Sequence, residues 1–186
     1  MKSIGKVLCV GDIILDCYSY GRVDRISPEA PIPVLKLSKD NMKVLGGAGN
    51  VARNICAAET KCHLISVIGD DMDSKQIISL CKKEKNLSFD LILDKGRCTT
   101  KKHRFVSDNQ QILRVDNEDI SYVNEIIEKK ILEKFKRNLS KSNVVVISDY
   151  QKELLKKTLI TKLIKICNQN RKVIIVDPKH INLGFY

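Results

Sequence analysis

Four short apolar runs each lead into an aspartate: Asp12 after KVLCVG, Asp70 after HLISVIG, Asp149 after NVVVIS and Asp177 after KVIIV. In an open α/β sheet, ligands bind outside the carboxyl ends of the strands, so such carboxylates suit sugar hydroxyls or a hydrated magnesium ion. A single strand-end aspartate is more commonly a cap or turn residue. Asp70, followed by Asp71 and Asp73 at the next helix start, is read that way. The second chemical feature is LGGAGNVARN, residues 45–54. Its glycines let backbone approach a ligand closely and leave helix N-terminal amides pointing at it. It has neither the Lys-Ser/Thr of a Walker loop nor GxGxxG spacing, so on its own it is equally a tight turn packed against a helix.

The elements that must position these residues follow from periodicity. The runs at 6–12, 63–70, 143–149 and 172–177 are rich in β-branched residues without polar alternation, which predicts buried parallel strands. Between them, helical spacing predicts helices over 48–59, 72–83, 121–138 with Ser121 as its cap, and 152–168. Strand, helix, strand repeated in this way implies right-handed crossovers in a layered α/β domain with a mostly parallel sheet. Two stretches break the pattern. Residues 28–45 carry three of the four prolines and two short strand-like pieces, and residues 97–116 read as two strands around a Ser-Asp-Asn turn. Both leave the main sheet near the ligand-binding strand ends, so they predict a small β lid over its mouth.

Composition narrows the function. The chain has 186 residues, 33 Lys and Arg against 22 Asp and Glu, and a formal net charge of +11. The basic residues fall mostly in helix-like segments and there is no Trp, so charge alone argues weakly for a nucleic-acid binder, and a phosphorylated small molecule suits it better. No apolar run approaches a membrane span, and the first one is interrupted by Asp12 and Asp16, unlike a signal peptide; the reading is cytoplasmic. Seven cysteines form no CxxC pair or zinc spacing and sit mainly in apolar runs, which predicts buried structural thiols.

The strings GDIILDCYSYGRVDRISPEAPIPVLKL (11–37), GGAGNVARNI (46–55), TTKKHRFVSDNQQILRVD (99–116), ISDYQK (147–152) and VDPK (176–179) together resemble one family. It is the kinase domain of the bifunctional heptose 7-phosphate kinase and heptose 1-phosphate adenylyltransferase, within the ribokinase-like, or PfkB, carbohydrate kinases. The resemblance runs from about residue 6 to about residue 179, and RISPEAP with NQQILRVD belongs to the heptose branch. It implies a ribokinase-like fold and phosphoryl transfer from ATP, with magnesium, to the anomeric hydroxyl of heptose 7-phosphate, on the path to ADP-heptose for lipopolysaccharide inner core. By that resemblance Asp12, Asp16, Gly46, Gly47 and Asn50 hold sugar hydroxyls. Lys101, Arg104, Gln110 and Arg114 come from the lid, where cations neutralise the 7-phosphate, while Asp149, Asp177 and Lys179 lie on the phosphate and magnesium side.

Other parts of the family pattern do not occur in residues 1–186. The family's catalytic base is the aspartate of a GAGD loop whose amides also form an anion hole, beside the ATP pocket. The Gly-Ala-Gly here, 47–49, is followed by Asn50 and belongs to the sugar-side signature. The expectation is therefore an N-terminal portion of the kinase domain over 1–186, without the ATP-binding half or the adenylyltransferase domain, and with no catalytic base of its own. Glu153 also replaces the glycine that usually follows the lysine of ISDYQK. The alternative is an inactive chain that binds sugar phosphate or complements a separately encoded second half. A homodimer through the β lid is expected of a complete fold.

Overall fold

The computed structural model describes residues 5–152, 154–179 and 183–186. Its elements in chain order are β1 Lys6–Gly11, β2 Ile13–Ile26, β3 Pro33–Gly47, α1 Ala48–Ala57, β4 Lys61–Ile68, α2 Met72–Lys83, β5 Leu87–Leu93, β6 Lys101–Ser107, β7 Gln110–Asn117, α3 Glu125–Leu139, β8 Val144–Ser148, α4 Lys157–Gln169 and β9 Val173–Asp177, before a short 3₁₀ turn at Leu183–Phe185. Five strands form a parallel sheet in the order β5-β4-β1-β8-β9, with β1 central. Alternation along β1 explains the layers: Leu8 and Val10 pack with Ile131, Phe135, Leu159 and Leu163 of α3 and α4, whereas Cys9 packs with Ala52, Ile77 and Cys81 of α1 and α2. Both faces are covered, as continuous apolar strands require.

All four expected strands are present, and α1 and α2 lie where periodicity placed them. Two helix starts differ. α3 begins at Glu125 because Asn124, not Ser121, accepts a hydrogen bond from the Ile127 amide at 3.0 Å. α4 begins at Lys157, because the chain after β8 is first held as a loop. Strand β5 was not foreseen. Six of the seven cysteines are buried, Cys98 being the partly exposed one, and burial pushes the Cys62 thiol up to about 12.

The lid is one four-stranded sheet in the order β3-β2-β6-β7. The second lid piece forms the expected hairpin, its turn made by Asp108 and Asn109 at φ 47° and 64°, the left-handed pair that suits a tight two-residue connection. The first piece differs from its expected two short strands: β2 and β3 are long antiparallel partners whose pairing begins at the core, Ile13 opposite Gly47. Three roots join the lid to the parallel sheet. Ser66, fully buried on β4, donates to the Gly11 carbonyl at 2.6 Å and accepts from the Ile13 amide at 3.0 Å, satisfying backbone groups where β1 turns out into β2. The Ala48 amide, opening α1, donates to the Asp12 carbonyl at 2.8 Å. Asp71, the cap of α2, accepts from the Thr99 amide and hydroxyl at 2.7 and 2.8 Å, which ties β6 to the end of β4. Asp71, rather than Asp70, is thus the capping residue of that acidic stretch.

Candidate active site between the lid and the strand ends

The sugar-side signature converges at the lid root. Asp16 on β2 accepts from Arg104 Nη1 on β6 at 2.6 Å, with both side chains about four-fifths buried. The Arg104 guanidinium also lies 5.2 Å from the centroid of the Tyr18 ring, a cation–π arrangement that fixes its plane. Gly46 lies beneath this pair, and a Cβ added there would collide with Asp16 Oδ2. Gly47, at φ 55°, occupies the left-handed region and leads directly into α1, where an added Cβ would meet the Asp12 carbonyl oxygen. Asn50 is exposed in the first turn of α1, on the same glycine-rich segment. Gly46→Ala is therefore expected to displace the Asp16 carboxylate and break its pair with Arg104 while melting within a few degrees of wild type; calorimetric titration with sugar phosphate alongside thermal melts checks it.

Asp12 departs from the sugar-hydroxyl role that the resemblance implies. It is 3% exposed, and its carboxylate accepts from the backbone amides of Tyr150 at 2.9 Å, Lys152 at 3.3 Å and Leu154 at 3.4 Å. These bonds occupy the carboxylate with holding the loop after β8, so its effect on a ligand runs through that loop. Burial pushes its pKa up to about 6, against the lowering effect of the amide bonds. Asp149 is also 3% exposed; it accepts from the Gln151 amide at 2.8 Å and from the Tyr186 hydroxyl at 2.6 Å. Asp177 ends β9 exposed, and Lys179 is exposed with its amide donating to the Tyr186 hydroxyl at 3.2 Å. Tyr150 faces this acidic mouth: burial, then the charges of Asp177 and Asp16, push its phenol pKa up. Among the described residues no three His, Cys, Asp or Glu side chains converge as a metal ion would need. Glu153, the departure from the family glycine, lies outside the described residues.

The lid cations divide between two faces. In the β2–β6 register Asp16 lies opposite Lys102 and Tyr18 opposite Arg104, while Leu15 and Cys17 lie opposite Lys101 and His103. Side chains alternate across a strand, so Lys101 points away from Asp16 and pairs with Asp73 of α2 at 2.5 Å. Of the four lid residues expected near the substrate, Lys101 thus lies on the face opposite to Asp16 and Arg104. Arg114, opposite Arg104 on β7, shares the inner face but pairs with Asp116 at 2.9 Å. Gln110 is exposed at the far tip of the hairpin, opposite Ser107 and remote from Asp16 in register. The residues that sequence reading passed over are Lys102, Lys152 and Tyr150. Alternation from Asp16 along the lid sheet would have found the first, but it requires the register.

A parallel five-stranded sheet between helix layers, with a β lid rooted at its carboxyl ends over a carboxylate held on glycine, defines a ribokinase-like sugar kinase fold. The chain belongs to the pfkB family of carbohydrate kinases, whose profile matches residues 5–183. Membership implies ATP and a divalent metal in the family reaction. The chain is 42% identical over 174 residues to the bifunctional protein HldE of Helicobacter pylori strain HPAG1, covering 94% of this chain and 37% of that relative. It is also 42% identical over 180 residues to the bifunctional protein HldE of Paramagnetospirillum magneticum, covering 97% and 37%. The chain thus spans little more than a third of the length of these curated relatives. The tetrameric inhibited form of phosphofructokinase-2 from Escherichia coli superposes with a TM-score of 0.70 at 20% identity, covering 94% of this chain and 54% of that one. No helix among the described residues is long and apolar enough to cross a membrane.

Proposed function

We propose that this chain carries the acceptor side of a kinase that transfers the γ-phosphoryl group of ATP, with magnesium, to the anomeric hydroxyl of D-glycero-D-manno-heptose 7-phosphate. The product would feed cytoplasmic ADP-heptose synthesis for lipopolysaccharide inner core. The observation that carries this reading is the Asp16 carboxylate, seated on Gly46 and braced by Arg104 at the junction of lid and core. The 42% identity to HldE relatives and the heptose-branch strings RISPEAP and NQQILRVD supply the substrate. In this arrangement Asp16 and Asn50 accept and donate hydrogen bonds to ring hydroxyls, which fixes the sugar and lowers the entropic part of the barrier. The lid excludes water from the acceptor hydroxyl.

The outer face of the lid supports a homodimer. Leu37, Leu113 and Val115 on it are 53%, 54% and 49% exposed, and cross-strand pairing puts Leu113 and Val115 on the same face as Phe105 and His103. A second reading is a sugar-phosphate binder that further strands complete beside β9, which among the described residues pairs with β8 and leaves Val173 and Ile175 60% and 54% exposed.

The test of the substrate reading is calorimetric titration with heptose 7-phosphate. Asp16→Asn is expected to weaken binding at least about tenfold, since a hydrogen bond to a charged group contributes roughly 1.5 to 3 kcal/mol, and Asn50→Ala to weaken it by a smaller factor. Both variants should melt close to wild type. Unchanged affinity in both, with normal wild-type binding, removes these residues from the sugar site.

A further inference from the structure

Strand β5 closes the parallel sheet at the end opposite β9, and among the described residues it pairs with β4 alone. A strand paired on one side leaves the amides and carbonyls of alternate residues facing outward, a template that soluble proteins guard with lysine, proline, bulges or short length. The lid's outer strand β3 is guarded in this way: it carries Pro33, Lys36, Lys39 and Lys43, and its register with β2 shifts twice. β5 is not. It runs LSFDLIL without Pro, Lys or Gly, and its register with β4 is unbroken from Leu87 opposite Cys62 to Leu93 opposite Ile68. Its one charge, Asp90, is already neutralised: the carboxylate lies 2.9 Å from His63 Nε2, accepts from Arg137 Nη2 at 2.9 Å and pairs with Lys134 Nζ at 3.1 Å. A groove of about 420 Å³ adjoins the strand. Residues Phe89 to Leu93 line it in succession together with Ile78 of α2 and Lys130 and Lys134 of α3, so it follows the free edge rather than either face of the sheet. Alternation gives it two unlike sides: Phe89 and Leu91 turn toward the α1 and α2 layer, whereas Asp90 and Ile92 turn toward α3.

An extended chain that adds to a free edge gains the ladder hydrogen bonds, and its own side chains alternate between the two sides of the groove. Here one side is apolar and the other cationic. Lys130, Lys134 and Arg137 recur on α3 at helical spacing and outnumber Asp90, while Glu133 of the same helix does not line the groove. We propose that β5 is a docking edge for an extended segment of a partner protein in which acidic residues alternate with apolar ones, the acidic residues meeting Lys130 and Lys134 and the apolar ones Ile78, Phe89 and Leu91. Charge selects this occupant over a second copy of the chain. A two-fold axis that pairs β5 with β5 antiparallel keeps α3 beside α3, so the two basic rows would face each other across the junction. β5 belongs to the core sheet and Asp16 to the lid sheet, and the proposal stands independently of the sugar reading.

The probe is an acetylated and amidated heptapeptide in which glutamate alternates with valine, matched to the seven residues of β5 and added to the full 186-residue chain. By calorimetry it is expected to bind at least about tenfold more tightly than the same peptide with lysine in place of glutamate, and less tightly as salt is raised. Methylating one set of alternate backbone nitrogens in the peptide should abolish binding and methylating the other set should leave it, since only one edge of the added strand meets β5. Lys130→Glu, at an exposed residue, should weaken binding about fivefold or more without changing the melt. Hydrogen exchange should show added protection of the Phe89–Leu93 amides and none in β7, an edge strand of the lid. Equal binding of the lysine peptide overturns the acidic partner, and equal binding of the two methylated forms overturns strand addition. Dimerisation that protects the same β5 amides without peptide makes a second copy the occupant and overturns the proposal, as does exclusion of the peptide once the second half of an HldE relative is added.

Discussion

Incubated with ATP, magnesium and heptose 7-phosphate, the 186-residue chain alone is expected to form no bisphosphate above a no-protein control. Phosphoryl transfer needs the acceptor hydroxyl deprotonated as it attacks, and donors placed on the oxygens that gain charge. Three acids near the mouth are engaged elsewhere. Asp12 accepts three loop amides, Asp149 accepts from Gln151 and Tyr186, and Asp16 is held by Arg104. The Gly-Ala-Gly of residues 47–49 is spent on the start of α1, with Gly47 against the Asp12 carbonyl. It therefore offers no loop of free amides to a transferring phosphate. Removing a single preorganised oxyanion donor costs roughly 100-fold to 1,000-fold in rate, so a site whose described residues do not supply that set falls to background. Following the bisphosphate by phosphorus NMR checks this. Turnover above control that disappears in Asp16→Asn would show that these residues suffice, whereas restoration on adding the second half of an HldE relative would support completion by a separate polypeptide.

The strand ends and the glycine pair were legible because their residue types leave few alternatives. Continuous β-branched runs that end in Asp announce parallel strands with acids at one edge of the sheet, and the four strands so read all stand in it. Gly46 and Gly47 could be singled out from their context, although the cause, Asp16 Oδ2 and the Asp12 carbonyl filling the Cβ positions, is a matter of packing. The lid was harder. β2 carries Asp16, Tyr18 and Arg22 among apolar residues, a mixed pattern that reads as a motif before it reads as a strand, and only pairing with β3 and β6 fixes its register. That register decides which of two adjacent lysines shares the face of Asp16. Lys101 and Lys102 are indistinguishable by type, and a shift of one residue moves a side chain to the other face. Asp12 shows the opposite limit: its position at a strand end was read correctly, but the three amides that claim its carboxylate come from residues 150–154, joined to it only by the fold.

Asp12 also sets the largest expected effect on stability. Its folded pKa of about 6 lies above the ordinary carboxylate value of 3.8, so the folded chain binds its proton more tightly than the unfolded chain does. Between those values the native state carries more protons, and stability therefore falls as pH rises. The contribution is fully present below about pH 4, declines through the window and is lost above about pH 6, a step of about 3 kcal/mol from a shift of roughly two pH units. Asp12→Asn cannot titrate, so the wild-type stability minus that of the variant should drop by this amount between pH 4 and 7 in urea titrations. Parallel curves would place the pKa at its ordinary value and remove burial as a dominant influence. At pH 7 Asp12→Ala tests the other half of the balance. It leaves the amides of Tyr150, Lys152 and Leu154 without their acceptor, a loss on the order of 3 kcal/mol at about 1 kcal/mol for each bond. Hydrogen exchange locates the loss: these three amides should lose protection in Asp12→Ala while those of Cys9 and Val10 in β1 change only with global stability. Unchanged exchange at Tyr150 would show that the loop holds its shape without Asp12.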